Sequence, residues 1–242
     1  SSTPVAQPIR KILRIRTFFW LILAGLAFNF AAYACNTFMV PLLQRYFLLP
    51  LEQAAVATGV IVGVTGLLGL TLGGPIADRI HQRWATGRLL FAALSMLVAA
   101  VATASALLAG RIDISLFVAV FSVGWLFSYN YYTCVYTAMQ DVVEPRLRAT
   151  AMALFFAGLY LLGGGVGPVA VGLVSDHYAH AAMLAAGASE MTEAYKAVGL
   201  HAAMLMIPAA FVLTMLALLQ ASRCFVRDAE RMQSDMQESA PV

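Results

Sequence analysis

The sequence predicts an all-α, polytopic membrane protein, built as a bundle of six transmembrane helices. Of its 242 residues, 61% are hydrophobic and only 11% are charged, whereas a soluble domain has about 25% charged residues. The charged residues also cluster between long uncharged segments, which is the pattern of helices that cross a bilayer. A soluble protein with a large buried core is the weaker alternative, because this chain has too few charges to cover one.

Six segments have the length that a membrane-spanning helix needs. At 1.5 Å per residue, about 20 residues cross the roughly 30 Å of hydrocarbon. A β-barrel is not indicated, because its strands would be segments of about ten residues with alternating hydrophobicity. The predicted spans are residues 17–40, 54–77, 89–109, 114–139, 149–174 and 199–221.

Polar segments flank the predicted bundle. Residues 1–16 form a basic lead-in, and residues 222–242 form a polar tail that we expect to begin with a short amphipathic stretch and to continue as disordered chain. The longest connection lies between the fifth and sixth spans, where residues 183–198 are either a surface helix or an extension of the sixth span. The sequence begins at Ser1 without a signal-peptide layout, and we expect it to be part of a longer protein.

The distribution of Lys and Arg predicts the orientation of the bundle. Twelve of the 15 basic residues lie on one side of the predicted spans, and the other three are Arg45, Arg111 and Lys196. By the positive-inside rule, the basic side is cytoplasmic. Both termini and the connection after the second span are therefore predicted to lie in the cytoplasm, in a multi-pass membrane protein.

Glycine recurs at helical spacing in two spans. In the second span, the pairs Gly59/Gly63 and Gly69/Gly73 allow another helix to approach closely. In the fifth span, a proline follows several glycines, which predicts a kink and a locally soft helix. Bending during a conformational cycle and static close packing both remain open. The candidate hinge residues are Gly163, Gly164, Gly167 and Pro168.

Polar side chains inside the spans form two stripes. One stripe repeats at helical spacing along the first span, and the other combines aromatic and amide side chains along the fourth span. Facing the interior of a bundle, such residues line wet cavities and contact ligands. Interhelical hydrogen bonding and an interfacial aromatic belt are the alternatives. The candidate substrate-cavity residues are Asn29, Tyr33, Asn36, Trp125, Tyr129, Asn130, Tyr132 and Tyr136.

Several kinds of chemistry are not indicated by the sequence. The interiors of the predicted spans contain no Asp, Glu, Lys or Arg, although such groups mark proton relays and ion pathways. The chain has no His-Glu-x-x-His pair or serine nucleophile elbow, so an enzyme is not expected. Its three cysteines fit neither a metal site nor a disulfide framework. No metal, cofactor or nucleic-acid partner is predicted.

The connection between the second and third spans carries a family motif. Its sequence GPIADRIHQR, at residues 74–83, resembles the signature G-x-x-x-D-R-x-G-R-R of major facilitator superfamily transporters. In that family, the motif lies in the cytoplasmic connection between the second and third helices of each six-helix half. His81 replaces the glycine of the motif and Gln82 replaces a basic residue, so we expect the tight turn to shift towards Gly87.

Further segments resemble the C-terminal half of such a transporter. The sequence DVVEPRLRATA at residues 141–151 and the glycine-rich stretch that follows are similar to the tenth-to-eleventh helix region of spinster-like bacterial members. The basic lead-in is similar to the linker between halves. The resemblance covers nearly the whole chain but only six of the family's twelve helices. It implies that the partner in the bilayer is the N-terminal half, which would also carry any coupling carboxylates.

The resemblance implies a function as well as a fold. It predicts secondary active transport of small amphipathic or organic-anion substrates by rocker-switch alternating access, around a cavity between the halves. The alternative is a stand-alone six-helix scaffold or homodimeric channel without a transport cycle. The length of the native reading frame distinguishes the two, since a transporter requires six further spans upstream.

Charged residues at the cytoplasmic ends take their expected roles from the same resemblance. Asp78 matches the motif aspartate, which caps a helix N-terminus in the opposite half, where the helix dipole favours a carboxylate. Arg79 and Arg83 are expected to pair with Asp141 or Glu144 and so latch the outward-facing state. A solvated basic loop is the alternative. The candidate latch residues are Asp78, Arg79, Arg83, Asp141, Glu144 and Arg148.

Overall fold

The computed structural model describes residues 6–111 and 113–238, which form helices and no strands. A short lead-in helix, Ala6–Leu13, comes first. Six helices that are long and apolar enough to cross a membrane follow it, which confirms the predicted fold class. In chain order, the first to sixth spans are Arg16–Arg45, Leu51–Arg83, Gly87–Leu108, Ile114–Val142, Pro145–Ala185 and Glu193–Gln237.

The first span lies at the centre of the packing. It contacts the sixth span along much of its length and the fifth span on another side, while the third span packs between the fourth and the sixth. Apolar side chains such as Phe28, Met39 and Phe211 are fully or almost fully buried in this core. The second and fifth spans are the least buried of the six, so their outer faces remain free of contact with this chain.

The sixth helix is much longer than the sequence predicted. It begins at Glu193, so residues 193–198 extend the sixth span rather than form a surface helix. Its second part, Met206–Glu238, continues through most of the polar tail. The disorder expected after the short amphipathic start of the tail is therefore wrong as far as Glu238, while residues 239–242 lie outside the described residues. Contacts with the bundle explain the difference, because Phe225 is buried and Asp228 accepts two hydrogen bonds from Thr17, each of 2.8 Å.

Three spans depart from regular α-helical geometry within their length. The second and fifth spans contain π-helical turns at Val60–Val64 and Gly158–Gly164, and the fourth is interrupted at Tyr129. The turn in the fifth span ends four residues before Pro168, whose missing N–H leaves the carbonyl of residue 164 without its usual donor. The predicted irregularity of this span is therefore present, whereas its role as a hinge remains a prediction.

Close approach explains three glycines of the second span. A Cβ atom on Gly66 would lie 2.8 Å from the Tyr129 ring, and one on Gly69 would lie 2.6 Å from a backbone oxygen of the fourth span. A Cβ on Gly73 would overlap Asn130. By contrast, a Cβ on Gly63 meets nothing within 4 Å. Of the two predicted glycine pairs, Gly69/Gly73 packs inside this bundle, while Gly59/Gly63 faces away from it.

The candidate hinge glycines pack against the first span. A Cβ on Gly163 would lie 2.8 Å from the Leu26 carbonyl oxygen, and one on Gly167 would lie 2.5 Å from the carbonyl oxygen of Phe30. Gly164 lies against the ring of Tyr33. Only glycine allows the two backbones to come so close, and this contact fixes the relative position of the first and fifth spans.

Candidate functional site

Aromatic side chains of the first, fourth and fifth spans form a continuous surface that we call the tyrosine wall. Its members are Tyr33, Tyr132, Tyr136, Phe156 and Tyr160. Successive ring centroids lie 5.6 Å apart from Tyr132 to Tyr136, 5.6 Å from Tyr136 to Phe156 and 5.7 Å from Phe156 to Tyr160. Tyr33 closes the series at 6.2 Å from Tyr160. These separations are those of packed aromatic pairs, so three spans hold the rings in a fixed arrangement.

The wall is open and carries polar groups. Tyr33 and Tyr160 are 39% and 47% exposed, and Tyr132 and Tyr136 are half-buried. In the part of the chain that the structure describes, none of these four hydroxyl groups takes part in a hydrogen bond. The wall therefore presents apolar ring faces together with hydroxyl groups that are available to a ligand or to water.

The predicted cavity residues divide into two groups. Tyr33, Tyr132 and Tyr136 belong to the wall, and Asn36 is exposed one helical turn from Tyr33. Tyr129 lies between the second and fourth spans, where its hydroxyl group donates a hydrogen bond of 3.0 Å to the carbonyl oxygen of Val62. Tyr129 thus ties the π-helical turn of the second span to the break in the fourth.

The other three predicted cavity residues lie inside the bundle. Asn29, Trp125 and Asn130 are only 1%, 2% and 5% exposed. The Asn29 amide donates to the carbonyl oxygen of Gly25 at 3.1 Å, and the Asn130 amide donates to the Ser95 hydroxyl oxygen at 3.0 Å. The first of these hydrogen bonds lies within the first span and the second joins the fourth span to the third, so the structure does not bring these three residues to the open wall.

Sequence reasoning missed the contribution of the fifth span to the wall. Phe156 and Tyr160 are four residues apart and therefore lie on one face of that helix. This spacing alone predicts a shared aromatic face, whereas the neighbouring glycines of the same span predict bending. Tyr131 was also missed: it is fully buried behind the wall, where its ring stacks on Phe28 with centroids 4.3 Å apart.

At the end of the bundle that carries the family motif, one arginine joins two carboxylates. Arg88 donates to the Asp78 carboxylate at 2.8 and 3.2 Å and to Asp141 at 3.2 Å. These ion pairs connect the second, third and fourth spans. The predicted pairing of Arg79 and Arg83 with the acidic residues of the next connection is not present in this structure, where both arginines are exposed and make no ion pair within the described residues. As a latch of the outward-facing state it stays a prediction.

The geometry of the turn explains why Arg88, rather than Arg79 or Arg83, reaches the carboxylates. The second span continues as a helix to Arg83, and the chain turns through residues 84–86, where the Gly87 amide donates to the Trp84 carbonyl oxygen at 2.8 Å. A Cβ on Gly87 would lie 2.7 Å from the Ile80 side chain, so the third span begins tightly against the second. Arg88 is thereby placed beside Asp78. The turn lies at Gly87, as the altered motif predicted.

Glu144 belongs to a second group of charges. It is only 7% exposed and forms ion pairs with Lys11 and Arg146. The hydrogen bond from the Lys11 ammonium group lowers the pKa of Glu144 below its usual value, against the opposing effect of burial. Glu144 therefore joins this connection to the lead-in helix. Arg148, the last of the candidate latch residues, makes no ion pair in the described chain and instead donates to the backbone carbonyl oxygen of Gln140 at 3.1 Å, near the end of the fourth span.

Six apolar helices, an open aromatic wall and one charged end together define a polytopic membrane protein. The sequence profile of the Major Facilitator Superfamily matches residues 2–168, and the chain belongs to this superfamily. Its members are transporters, which agrees with the prediction that the chain is not an enzyme.

Comparisons with known proteins agree on the fold. Over 161 residues, the chain is 34% identical to an MFS-type efflux pump of Mycolicibacterium smegmatis, a match that covers 65% of this chain and 36% of the pump. Two inward-facing crystal structures of a bacterial homologue of the human lysosomal transporter Spinster, one unoccupied and one occupied, match with TM-scores of 0.78 and 0.76 at 21% identity. The two matches cover 93% and 92% of this chain but only 51% and 52% of the chains in those crystal structures. The chain therefore spans about half the length of these structures, which confirms the resemblance to one half of a spinster-like transporter.

Proposed function

We propose that this chain is the C-terminal six-helix half of a secondary active transporter. In this proposal it moves small amphipathic or organic-anion substrates by rocker-switch alternating access. The N-terminal half of the same protein is its partner in the bacterial inner membrane, and both termini lie in the cytoplasm. The placement of Lys and Arg supports this orientation, because the Arg88 and Glu144 groups lie on the side that carries most of the basic residues.

The tyrosine wall is the observation that carries the proposal. A hydroxyl group without a partner is costly in hydrocarbon, so four such groups on one face argue against contact with lipid. A water-filled cavity satisfies them, as does a substrate. The wall also draws on three different spans, as expected for a surface that receives a ligand between two halves of a protein.

The chemistry of the wall supports the substrate class. Ring faces pack against an apolar body, and the phenolic hydroxyl groups donate hydrogen bonds to acceptors such as a carboxylate or a sulfonate. The wall contains no charged side chain, so any charged group needed for a salt bridge would belong to the opposite half. An amphipathic solute with a hydrogen-bond acceptor matches this surface.

The exposed faces of the second and fifth spans support the position of the partner half. A Cβ on Gly59, Gly63 or Gly165 meets nothing within 4 Å, so packing among the described residues does not require glycine at these positions. Small residues on an open helix face permit close approach of another helix. Asp78 lies at the cytoplasmic end of the second span with its side chain 59% exposed, which leaves it accessible to the opposite half as the proposed latch requires.

A transport assay tests this proposal. The full-length protein is reconstituted in vesicles, and uptake of a panel of radiolabelled carboxylates and amphipathic dyes is measured for wild type, Tyr132→Phe and Tyr160→Phe. We expect each variant to reduce uptake severalfold, because a hydrogen bond to the substrate is lost. Tyr178→Phe is the matched control, since Tyr178 is 49% exposed on the same span as Tyr160 but outside the wall.

Two results would contradict the proposal. Uptake by both wall variants equal to that of the control would remove the wall from the substrate path. A native reading frame without six further spans, together with solute flux that no gradient drives uphill, would instead favour the homodimeric channel.

A further inference from the structure

A cavity of about 340 Å³ lies at the cytoplasmic end of the bundle, away from the tyrosine wall. The lead-in helix, the connection between the fourth and fifth spans, and the last part of the sixth helix enclose it. This volume lies within the range of small-molecule sites. None of these three segments contributes to the wall, so the cavity is a separate feature of the molecule.

The floor of the cavity is apolar. Ile12, Val142 and Val143 line it and are between 0% and 1% exposed. Leu147 and Met232 add further apolar surface. A ligand that enters the cavity therefore meets hydrocarbon at its base and charged groups only at its rim.

The carboxylates of the rim already have partners. Glu144 is held by Lys11 and Arg146, and Asp228 accepts from the backbone and hydroxyl groups of Thr17 at the start of the first span. Asp235 lies 3.7 Å from Lys11. The negative charge of the cavity is thus committed to interactions within the protein.

Three arginines of the rim, by contrast, have no side-chain partners in the part of the chain that the structure describes. Arg10 and Arg14 are exposed at a four-residue spacing on and just after the lead-in helix, and Arg231 faces them from the sixth helix. Within residues 6–111 and 113–238, none of the three forms an ion pair or a side-chain hydrogen bond. Four basic side chains and three carboxylates line the cavity, so its lining carries an excess of one positive charge, and the three arginines are the basic groups that no carboxylate holds.

We propose that this cavity binds a phosphate-bearing anion. The planar guanidinium group matches the oxygens of a phosphate with two parallel hydrogen bonds, and the apolar floor accepts a short hydrocarbon portion of the ligand. The phosphate belongs either to the head group of an acidic phospholipid or to a small soluble phosphate ester, because both present the same chemistry. A bound anion would join the lead-in helix to the sixth helix.

A general attraction between basic residues and the membrane is the competing explanation. Basic residues cluster on the cytoplasmic side for topological reasons and attract acidic lipids without a defined site. The two explanations differ in which arginines matter. A defined site requires those that line the cavity, whereas general attraction depends equally on any exposed arginine of the same surface.

Arg227 provides the matched control for this distinction. It lies four residues before Arg231 on the same helix, is exposed, and does not line the cavity. The full-length protein is purified in neutral detergent and freed of native lipid. Binding of phosphatidylglycerol is measured by native mass spectrometry, and binding of glycerol 3-phosphate by isothermal titration calorimetry, for wild type, Arg227→Gln, Arg231→Gln and the triple variant Arg10→Gln/Arg14→Gln/Arg231→Gln.

We expect Arg231→Gln to weaken binding about tenfold and the triple variant to weaken it further, with Arg227→Gln within about twofold of wild type. Binding of both probes, or of glycerol 3-phosphate alone, would identify the phosphate group as sufficient, and binding of the lipid alone would identify the head group of a phospholipid as the source. Equal losses in Arg227→Gln and Arg231→Gln would overturn the proposal, as would a wild-type protein that binds neither probe. The single variant decides the question even if the triple variant does not fold.

Discussion

Two glycines of the fifth span lie two residues apart and give opposite expectations for the same substitution. A Cβ atom on Gly167 would lie 2.5 Å from the carbonyl oxygen of Phe30, whereas a Cβ on Gly165 meets nothing within 4 Å. Since real Cβ atoms are essentially never closer than 3.0 Å to another heavy atom, Gly167→Ala must separate the first and fifth spans by about 0.5 Å. Gly165→Ala requires no movement.

The size of the effect follows from comparing the two variants. Alanine is favoured over glycine in a helix by about 1 kcal/mol, and this gain applies to both positions. Overpacking of a close contact costs about 1–3 kcal/mol, and it applies to Gly167 alone. The difference between the two variants therefore isolates the overpacking cost, and we expect the upper part of that range because the added Cβ meets a backbone carbonyl group, which cannot rotate away.

Thermal unfolding of the full-length protein in detergent measures this difference. We expect Gly165→Ala to unfold at the same temperature as wild type or slightly above it, and Gly167→Ala to unfold several degrees lower. Equal unfolding temperatures for the two variants would show that the first and fifth spans do not approach as closely as the structure indicates. The packing account of the candidate hinge would then be wrong.

Three further predictions concern the charges at the end of the bundle that carries Arg88 and Glu144. Arg88→Gln should lower the unfolding free energy by roughly 0.5–2 kcal/mol, because it removes two partly exposed ion pairs, whereas Arg79→Gln should leave the unfolding temperature unchanged. Because the pKa of Glu144 is lowered in the folded state, its contribution to stability is complete above pH 4.5, the usual pKa, and is lost as the pH falls through the lower pKa of the folded state. The difference in unfolding temperature between wild type and Glu144→Gln should therefore shrink in acid. Asp228→Asn should remove about 1 kcal/mol that the Asp228 carboxylate contributes by capping the start of the first span at Thr17. It should also accelerate hydrogen exchange of residues 223–238, and equal acceleration in Glu230→Gln would refute this capping role.

The six spans were predictable because their formation depends on local composition. A segment of about 20 apolar residues must satisfy its own backbone in the bilayer, and a helix does so whatever surrounds it. The π-helical turns at Val60–Val64 and Gly158–Gly164 had weaker signals, and only the second lies next to a proline. The helical tail had only its short amphipathic start as a signal, since it is held by the contact of Asp228 with Thr17, 211 positions away along the chain.

The candidate site was predictable only in part, because spacing shows which residues share a helix face but not what that face contacts. Asn29 and Tyr33 are one turn apart on the first span, yet the first is buried against Gly163 and the second is open on the wall. The same limit applies to the charges. Asp78 and Arg79 are adjacent, but only Asp78 has an ion pair in the described chain, since the turn at Gly87 returns the third span to that side.

The contacts of the lead-in helix bear on how the proposed transport cycle would move this chain. Ile12 is fully buried, and Lys11 is paired with Glu144 and Asp235 on two different parts of the bundle. The lead-in helix is therefore held at three points and moves with the six spans. Bending between Leu13 and Arg16 would break the contacts of Lys11 and Ile12 together, so in the proposed rocker-switch the lead-in helix would move as one body with the six spans.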